Sequence, residues 1–443
     1  MTEFGVISLI PTISVLIIAI ISRRTVESLM AGVIIGLLII EPANVVPALA
    51  STALVVLGDE TVKWVILVCG LLGSIIAILA KSGAASVFGE VFAKFVDSKK
   101  KSMLATAVLG TAIFIDDYLN ALAVSSSMRR ITERYRVSKE MLAYLVDSTA
   151  APISLIVPIS TWAVFFSALI VANGLAAEGE GLTTYISAIP YMFYPWAAMV
   201  VVYLVAAEII PPIGPMKKAE AAAESHLPEL SEDELHSETT ANIWTFLVPM
   251  TALVGFTVYF DIDILQGAIA TLFVTIPLVI FQKAVTGHET FDAAMEGFLH
   301  MLPPLATVFG GFMLKEVNDV LGLTEYMIDI VLPLLTPELF PVIIFLTMGF
   351  LTFATSSSWG VFVIAFPIVI PLATAIDANM PLVLGSMLSA SGFGSHACFY
   401  SDATVLAAKG SGCTPIEHAF TQFPYALIAA GLAAVGFLIV GFQ

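Results

Sequence analysis

The sequence is poor in charge. Only 12% of its 443 residues are charged, and the 18 Lys and Arg are outnumbered by 35 Asp and Glu. Cysteine is scarce too. Cys69, Cys398 and Cys413 lie in or beside apolar segments, with neither metal-ligand spacing nor a disulfide framework, and read as free packed thiols. No glycine-rich nucleotide loop, nucleophile–base pair or metal triad occurs, so neither nucleotide hydrolysis nor enzymatic catalysis is indicated, and no resident cofactor is expected. The formal charge of −17 argues against nucleic acid as a partner. Much of it falls in 220-EAAAESHLPELSEDELHSE-238, which reads as part of a solvated cytoplasmic linker over 217–242.

What remains is apolar. Hydrophobic residues make up 58% of the chain and mean hydropathy is +0.97. Apolar runs long enough to cross a bilayer recur from end to end, which predicts an all-α polytopic membrane protein. Strand-like alternation is weak, which excludes a β-barrel. The N-terminal run carries its charges after the apolar stretch, at Arg23 and Arg24, and reads as a first span, not a secretory leader.

The positive-inside rule orients the spans. Arg23 and Arg24 place the end of span 1 (5–22) in the cytoplasm, and spans 2 (26–40) and 3 (62–80) follow. The stretch 103–128 is then flanked by Lys99–Lys101 on one side and 129-RRITERYR-136 on the other. Both flanks should be cytoplasmic, yet two full crossings need about 40 residues. A re-entrant hairpin with its tip near 114-FIDDYLN-120 resolves the conflict, provided that its irregular backbone is buried in protein or lines a wet cavity.

The following span, 138–172, is interrupted by 147-DSTAAPIS-154 and Pro158, and is expected to unwind in its middle. A further span, 185–207, returns to the cytoplasm. The second half repeats the order upside down. Spans at 243–260, 264–282 and 298–314 precede an interfacial piece at 315–327, a hairpin at 340–375, a broken span at 382–409 and a last span at 419–442. A shift of 241 residues superposes 113–170 on the second half without a gap, placing Asp116 and Asp117 on Ser357 and Ser358. The expectation is about ten transmembrane helices and two re-entrant hairpins in two inverted-topology repeats, 1–216 and 243–443, with both termini outside a cell inner membrane. Paired broken elements in oppositely oriented halves point to the substrate site of a secondary transporter.

Four constellations carry the chemistry. Asp116, Asp117 and Asn120 sit at membrane depth, where each carboxylate costs roughly 2.5–3.5 kcal/mol on insertion scales. Two adjacent carboxylates cannot both ionise cheaply, and either sodium or a proton relieves the repulsion. Competition of the two for one site is the simplest physics of antiport. Alternatively, the pair caps a helix or faces water. Asp147, Ser148 and Thr149 offer oxygens suited to a hard cation, although Ser and Thr often bond back to their own helix. Ser356, Ser357, Ser358 and Trp359 form a polar tip to the second hairpin. His396, Ser401, Asp402 and Thr404 supply a proton-relay candidate, a further carboxylate and hydroxyls. Glu417, His418 and Gln422 read as cytoplasmic rim.

At these residues the chain resembles the NhaC-type sodium/proton antiporter family of the ion transporter superfamily. The similarity is carried by 114-FIDDYLN-120, 147-DSTAAP-152 and 407-AAKGSGCTPIEHAFTQFPYAL-427. The resemblance implies sodium/proton exchange, or in some relatives sodium-linked movement of small organic acids or amino acids, by inverted repeats working as a dimer with an elevator-like domain. It assigns Asp116, Asp117, Asn120 and Asp147 to sodium, with Ser148 and Thr149 beside them. The second half departs from the family pattern: SSSWGV stands at 356–361 where GTSWGT is usual, Ser395 replaces an Asp, and Phe399 replaces a Pro. Loss of that carboxylate leaves room for an organic substrate.

Overall fold

A computed structural model describes residues 4–22, 24–84, 87, 96–225, 241–261, 263–331, 333, 335–355, 358–399 and 401–443. Among them are helices and no strands. In chain order they are α1 (Leu9–Ser22), α2 (Thr25–Ile40), α3 (Val45–Gly58), α4 (Glu60–Lys81), α5 (Lys99–Ala112), α6 (Asp117–Arg134), α7 (Lys139–Ile156), α8 (Thr161–Ala172), α9 (Gly181–Ala188), α10 (Phe193–Ala206) and α11 (Pro215–Ser225). There follow α12 (Ile243–Tyr259), α13 (Ile264–Phe281), α14 (Gly287–His300), α15 (Leu302–Leu321), α16 (Leu323–Val331), α17 (Phe340–Thr355), α18 (Ser358–Ala375), α19 (Met380–Ala397), α20 (Asp402–Ser411) and α21 (Pro415–Gly441).

By length and composition, five of the described helical runs can cross a membrane, or seven if the bent pairs α7–α8 (41°) and α9–α10 (55°) each count as one span. Large apolar side chains such as Ile17, Phe273, Phe281 and Leu432 lie on the outside, as they must where the solvent is lipid.

The helices form two packed groups. α1–α4 pack with α12–α15, through α4 on α14, α2 on α15 and α12 on α13. α5–α8 and α10 pack with α17–α21, through α17 on α19, α6 on α7, α10 on α21 and α20 against both α6 and α7. The groups meet where α4 touches α8 and where α15 touches α18.

Four helices of the second group begin 241 residues after a counterpart: Lys99 and Phe340, Asp117 and Ser358, Lys139 and Met380, Thr161 and Asp402. The caps repeat as well. Ser160 accepts from the Ala163 N–H at 3.1 Å and donates to the Ser154 carbonyl at 2.5 Å. Ser401 accepts from the Thr404 N–H at 3.3 Å and donates to the Ser395 carbonyl at 2.8 Å. A side-chain cap that also reaches back six residues fixes the same break twice.

Several expectations need correction. α7 runs unbroken through Asp147–Ser154, so the segment is helical and not unwound; the break comes at residues 157–160, where Pro158 stands. Pro152 lies inside α7 and only removes the N–H that would reach the Ser148 carbonyl. α3 and most of α14 lie where no span is expected. The stretch 315–327 is not a separate interfacial piece; it is the end of α15 and the start of α16, divided by Gly322 at φ 68°. The first part of the acidic linker is α11, which docks through Met216 and Glu220 while most of its other side chains stay exposed. Glu220 is buried, pairs with Lys99 at 2.7 Å and accepts from the Ser138 N–H at 2.8 Å. Burial pulls the Lys99 ammonium down, but Glu220 and Glu224 outweigh it and leave it raised. The rest of the linker, residues 226–240, lies outside the described residues, as does most of 85–95.

Candidate functional site

The break between α5 and α6 is held by the residues expected to bind ions. Asp116 is the N-cap of α6. Its Oδ1 accepts from the N–H groups of Tyr118 (2.9 Å) and Leu119 (3.1 Å), and its Oδ2 from the Thr161 hydroxyl (3.0 Å). The Thr161 N–H donates to the Ile115 carbonyl at 3.0 Å, which ties this break to the one before α8. Asn120 donates from Nδ2 to the carbonyls of Gly110 (2.6 Å), Ile113 (2.9 Å) and Thr149 (3.1 Å). It pins the break by satisfying carbonyls at and just after the end of α5. Its Oδ1 is buried without a protein partner. Asn120 is thus first a clasp; the expected neutral oxygen exists but points away from those bonds.

Close packing maintains the clasp. A Cβ on Gly110 would lie 2.0 Å from Thr149 Oγ1, and that hydroxyl is itself bound to the Leu145 (2.8 Å) and Val146 (3.2 Å) carbonyls. Thr149 therefore spends its hydroxyl on its own helix. Gly110→Ala should cost about 1–3 kcal/mol, the usual price of overpacking, and Thr149→Ala should recover part of it. Thermal unfolding of the single and double variants in detergent checks this; equal melting temperatures for wild type and Gly110→Ala would remove the clasp argument.

A cavity of about 280 Å³ lies between the two helix groups. One wall carries Asp116, Asp117, Thr161, Trp162, Ser358, Trp359, Ser395 and Ser401. The other carries Val26, Glu27, Met301, Pro303, Pro304 and Thr307. Asp116 and Asp117 are 3% and 4% exposed, so neither faces bulk water. Trp359 stacks on Phe165 with ring centroids 4.1 Å apart. Ser358 lies at the start of α18 and its hydroxyl reaches the Ser391 carbonyl at 3.4 Å. Ser356, Ser357, Tyr400 and the side chain of Asp402 lie outside the described residues. Glu27 was missed. The available signal was a lone carboxylate in the first turn of span 2, and it pairs with Arg24 at 3.1 Å.

Asp147 does not join the cavity wall. It lies fully buried in a second cluster. Its Oδ2 accepts from Gln422 Nε2 (2.7 Å), His418 Nε2 (3.1 Å) and Thr404 Oγ1 (3.4 Å). His396 lies beside it, with Nε2 2.8 Å from the Ser148 hydroxyl and Nδ1 2.6 Å from the Tyr194 hydroxyl; its carbonyl accepts from Gln422 Nε2. The expected sodium set is therefore divided, with Asp116 and Asp117 on the cavity and Asp147 among histidines. Among the described residues no group of three or more His, Cys, Asp and Glu has the arrangement of a metal centre. His418 and Gln422 are not rim residues. They are one helical turn apart and both buried, a polar i, i+4 pair on one face of an otherwise apolar helix, and that spacing was the signal available. Glu417 does sit at the surface, closing a capping box with Thr414.

The family model for the Na+/H+ antiporter family matches residues 166–442. The chain belongs to the Na+/H+ antiporter family. It is similar over 98% of its length to an uncharacterized protein of Haemophilus influenzae, at 27% identity and covering 91% of that protein. It also resembles the malate-2H(+)/Na(+)-lactate antiporter of Bacillus subtilis, 24% identical over 44% of this chain and 41% of that one. Its fold is that of two solved transporters. One is YdaH of Alcanivorax borkumensis, with TM-score 0.58 and 11% identity over 90% of both chains. The other is MtrF of Neisseria gonorrhoeae, from a class of antimetabolite efflux pumps, with TM-score 0.51 and 12% identity over 90% of this chain and 85% of that one. This member of the antiporter family is thus a membrane transporter.

Proposed function

We propose that the protein exchanges sodium for protons across a cell inner membrane, with Asp116 and Asp117 as the carboxylates of the sodium site. The observation that carries this reading is the buried pair at two joined helix breaks, on a cavity between two packed helix groups. Sodium or a proton neutralises the pair, and the hydroxyls of Thr161, Ser358 and Ser401 provide further oxygens. Movement of one helix group against the other would carry the site between the two membrane faces, the arrangement expected of inverted repeats. The recurrence of four helix starts and the Ser160 and Ser401 caps at one fixed shift supports such repeats. On this reading both termini lie outside and the protein works as a homodimer.

A second reading, sodium-coupled movement of a small organic acid or amino acid, is favoured by a specific feature. A groove of about 790 Å³ adjoins the cavity, sharing Asp116, Tyr118, Met301, Pro303 and Pro304, and it is mainly apolar. Its volume falls within the usual range for small-molecule sites. Counterflow in proteoliposomes separates the two. Sodium/proton exchange without any labelled amino acid or organic acid is the expected result; uptake of an organic solute that requires a sodium gradient would replace the first reading with the second.

A further inference from the structure

We infer that the Asp147–His418 pair is a proton-carrying site distinct from the aspartate cavity and connected to it through Ser401 and Thr404. This rests on the exchange reading above and assigns the proton within it.

The two sites are joined by hydroxyls. Ser401 lines the cavity, and its Oγ lies 2.8 Å from Thr404 Oγ1. Thr404 Oγ1 lies 3.4 Å from Asp147 Oδ2, and His418 Nε2 is 3.1 Å from the same oxygen. Hydroxyls both donate and accept, so the series can pass a proton between cavity and carboxyl. The pair also has room for one more proton. Asp147 Oδ1 and His418 Nδ1 are buried and lack any protein hydrogen-bond partner. With His418 Nε2–H donating to the carboxylate, Nδ1 is a bare acceptor. Loading adds one proton to the pair, at Nδ1 or at the carboxyl; unloading removes it, and no other bond changes.

The repeat supplies an internal control. At the shift of 241, Asp147 corresponds to Leu388, His396 to Leu155 and Thr404 to Ala163, each buried. At each of these three pairs of positions the same helix geometry is built once with a polar residue and once with an apolar one. The polar cluster is therefore not what the backbone arrangement requires.

The surroundings of His418 hold few other titratable groups. α7 brings Asp147 and Tyr144, α19 brings His396, and α10 brings Tyr194. α17 carries none, α11 brings Glu220, which is held by Lys99, and α20 carries Lys409 near its exposed end and Asp402, whose side chain lies outside the described residues. On α21 itself, Glu417 is bound in its capping box and Tyr425 stacks on Tyr144.

His418→Gln keeps an N–H donor for Asp147 and cannot take a proton. In proteoliposomes, sodium/sodium counterflow needs no proton, whereas sodium flux driven by a pH gradient does. The expected result is a variant that retains counterflow but loses pH-driven flux by about tenfold or more, with a flattened pH profile. A variant that counterflows and keeps the wild-type pH profile overturns the inference alone. Wild-type protein without sodium counterflow removes the exchange reading and the inference with it. If the variant does not fold, spectra of isotope-labelled histidine in the wild type decide. A buried imidazole, recognised by slow N–H exchange, must change protonation over the pH range in which exchange changes rate; if none does, the inference is overturned.

Discussion

Replacing Asp117 with asparagine is expected to abolish sodium-dependent proton flux in everted vesicles and leave the protein folded. Asp117 is the first residue of α6, lines the cavity and is 4% exposed. Unlike its neighbour, it is not the cap of the helix. Asparagine is close to isosteric, so packing should hold, but the charge that makes sodium binding worthwhile in a low-dielectric cavity is gone. Asp116 should behave differently. Asparagine is also a good N-cap, so Asp116→Asn retains the bonds from Tyr118 and Leu119 while weakening the cation site. Asp116→Ala should lose the cap as well, at about 0.5–2 kcal/mol. Exchange at wild-type rates in both Asp116→Asn and Asp117→Asn would end the proposal that this pair holds sodium.

Asp147→Ala is expected to be the most destabilising single change in the polar interior. Asp147 Oδ2 receives Gln422, His418 and Thr404, all buried. Removing it strands the His418 N–H and one Gln422 N–H in the interior, whereas Thr404 keeps the Cys398 carbonyl at 2.9 Å and Gln422 the His396 carbonyl. Breaking one partner from a buried pair costs about 3–5 kcal/mol. The cost lies in the unpaired groups rather than in the attraction itself, so replacing the whole cluster should be milder. Asp147→Leu with His418→Leu and Gln422→Leu is expected to melt above Asp147→Ala, although it should not exchange protons. Thermal denaturation in detergent measures both. If Asp147→Ala melts with the wild type, the cluster contributes nothing to stability and its hydrogen bonds are incidental.

The break between α5 and α6 was legible in the sequence. Basic residues on both flanks of one apolar stretch placed a tip near 114–120, and the backbone breaks at residues 113–116. The helices extend further than hydropathy suggests, because α5 starts within the lysines and α6 continues through Arg129–Arg134. Lys and Arg are good helix formers, and hydropathy marks only the part of a helix that meets lipid. α3 and α14 were missed for related reasons. α3 has 14 residues, short for a span, and α14 carries Glu289, Asp292 and Glu296 on a surface face.

By itself, the sequence determined that this is a helical membrane protein, because burying so much apolar surface in water is not an option for a chain with so few charges. It also placed two carboxylates at an interruption between two apolar arms, and it let 113–170 be laid on the second half at a shift of 241 residues. Only the tertiary structure decided what each polar residue touches. It turned Asn120 into a clasp, since the carbonyls it binds come from α5, the break after it and α7. It separated Asp147 from Asp116 and Asp117 and gave it His418 and Gln422, 271 and 275 residues away in the chain. A buried polar atom must find a partner wherever the packing brings one near, and no local pattern records which distant helix that will be.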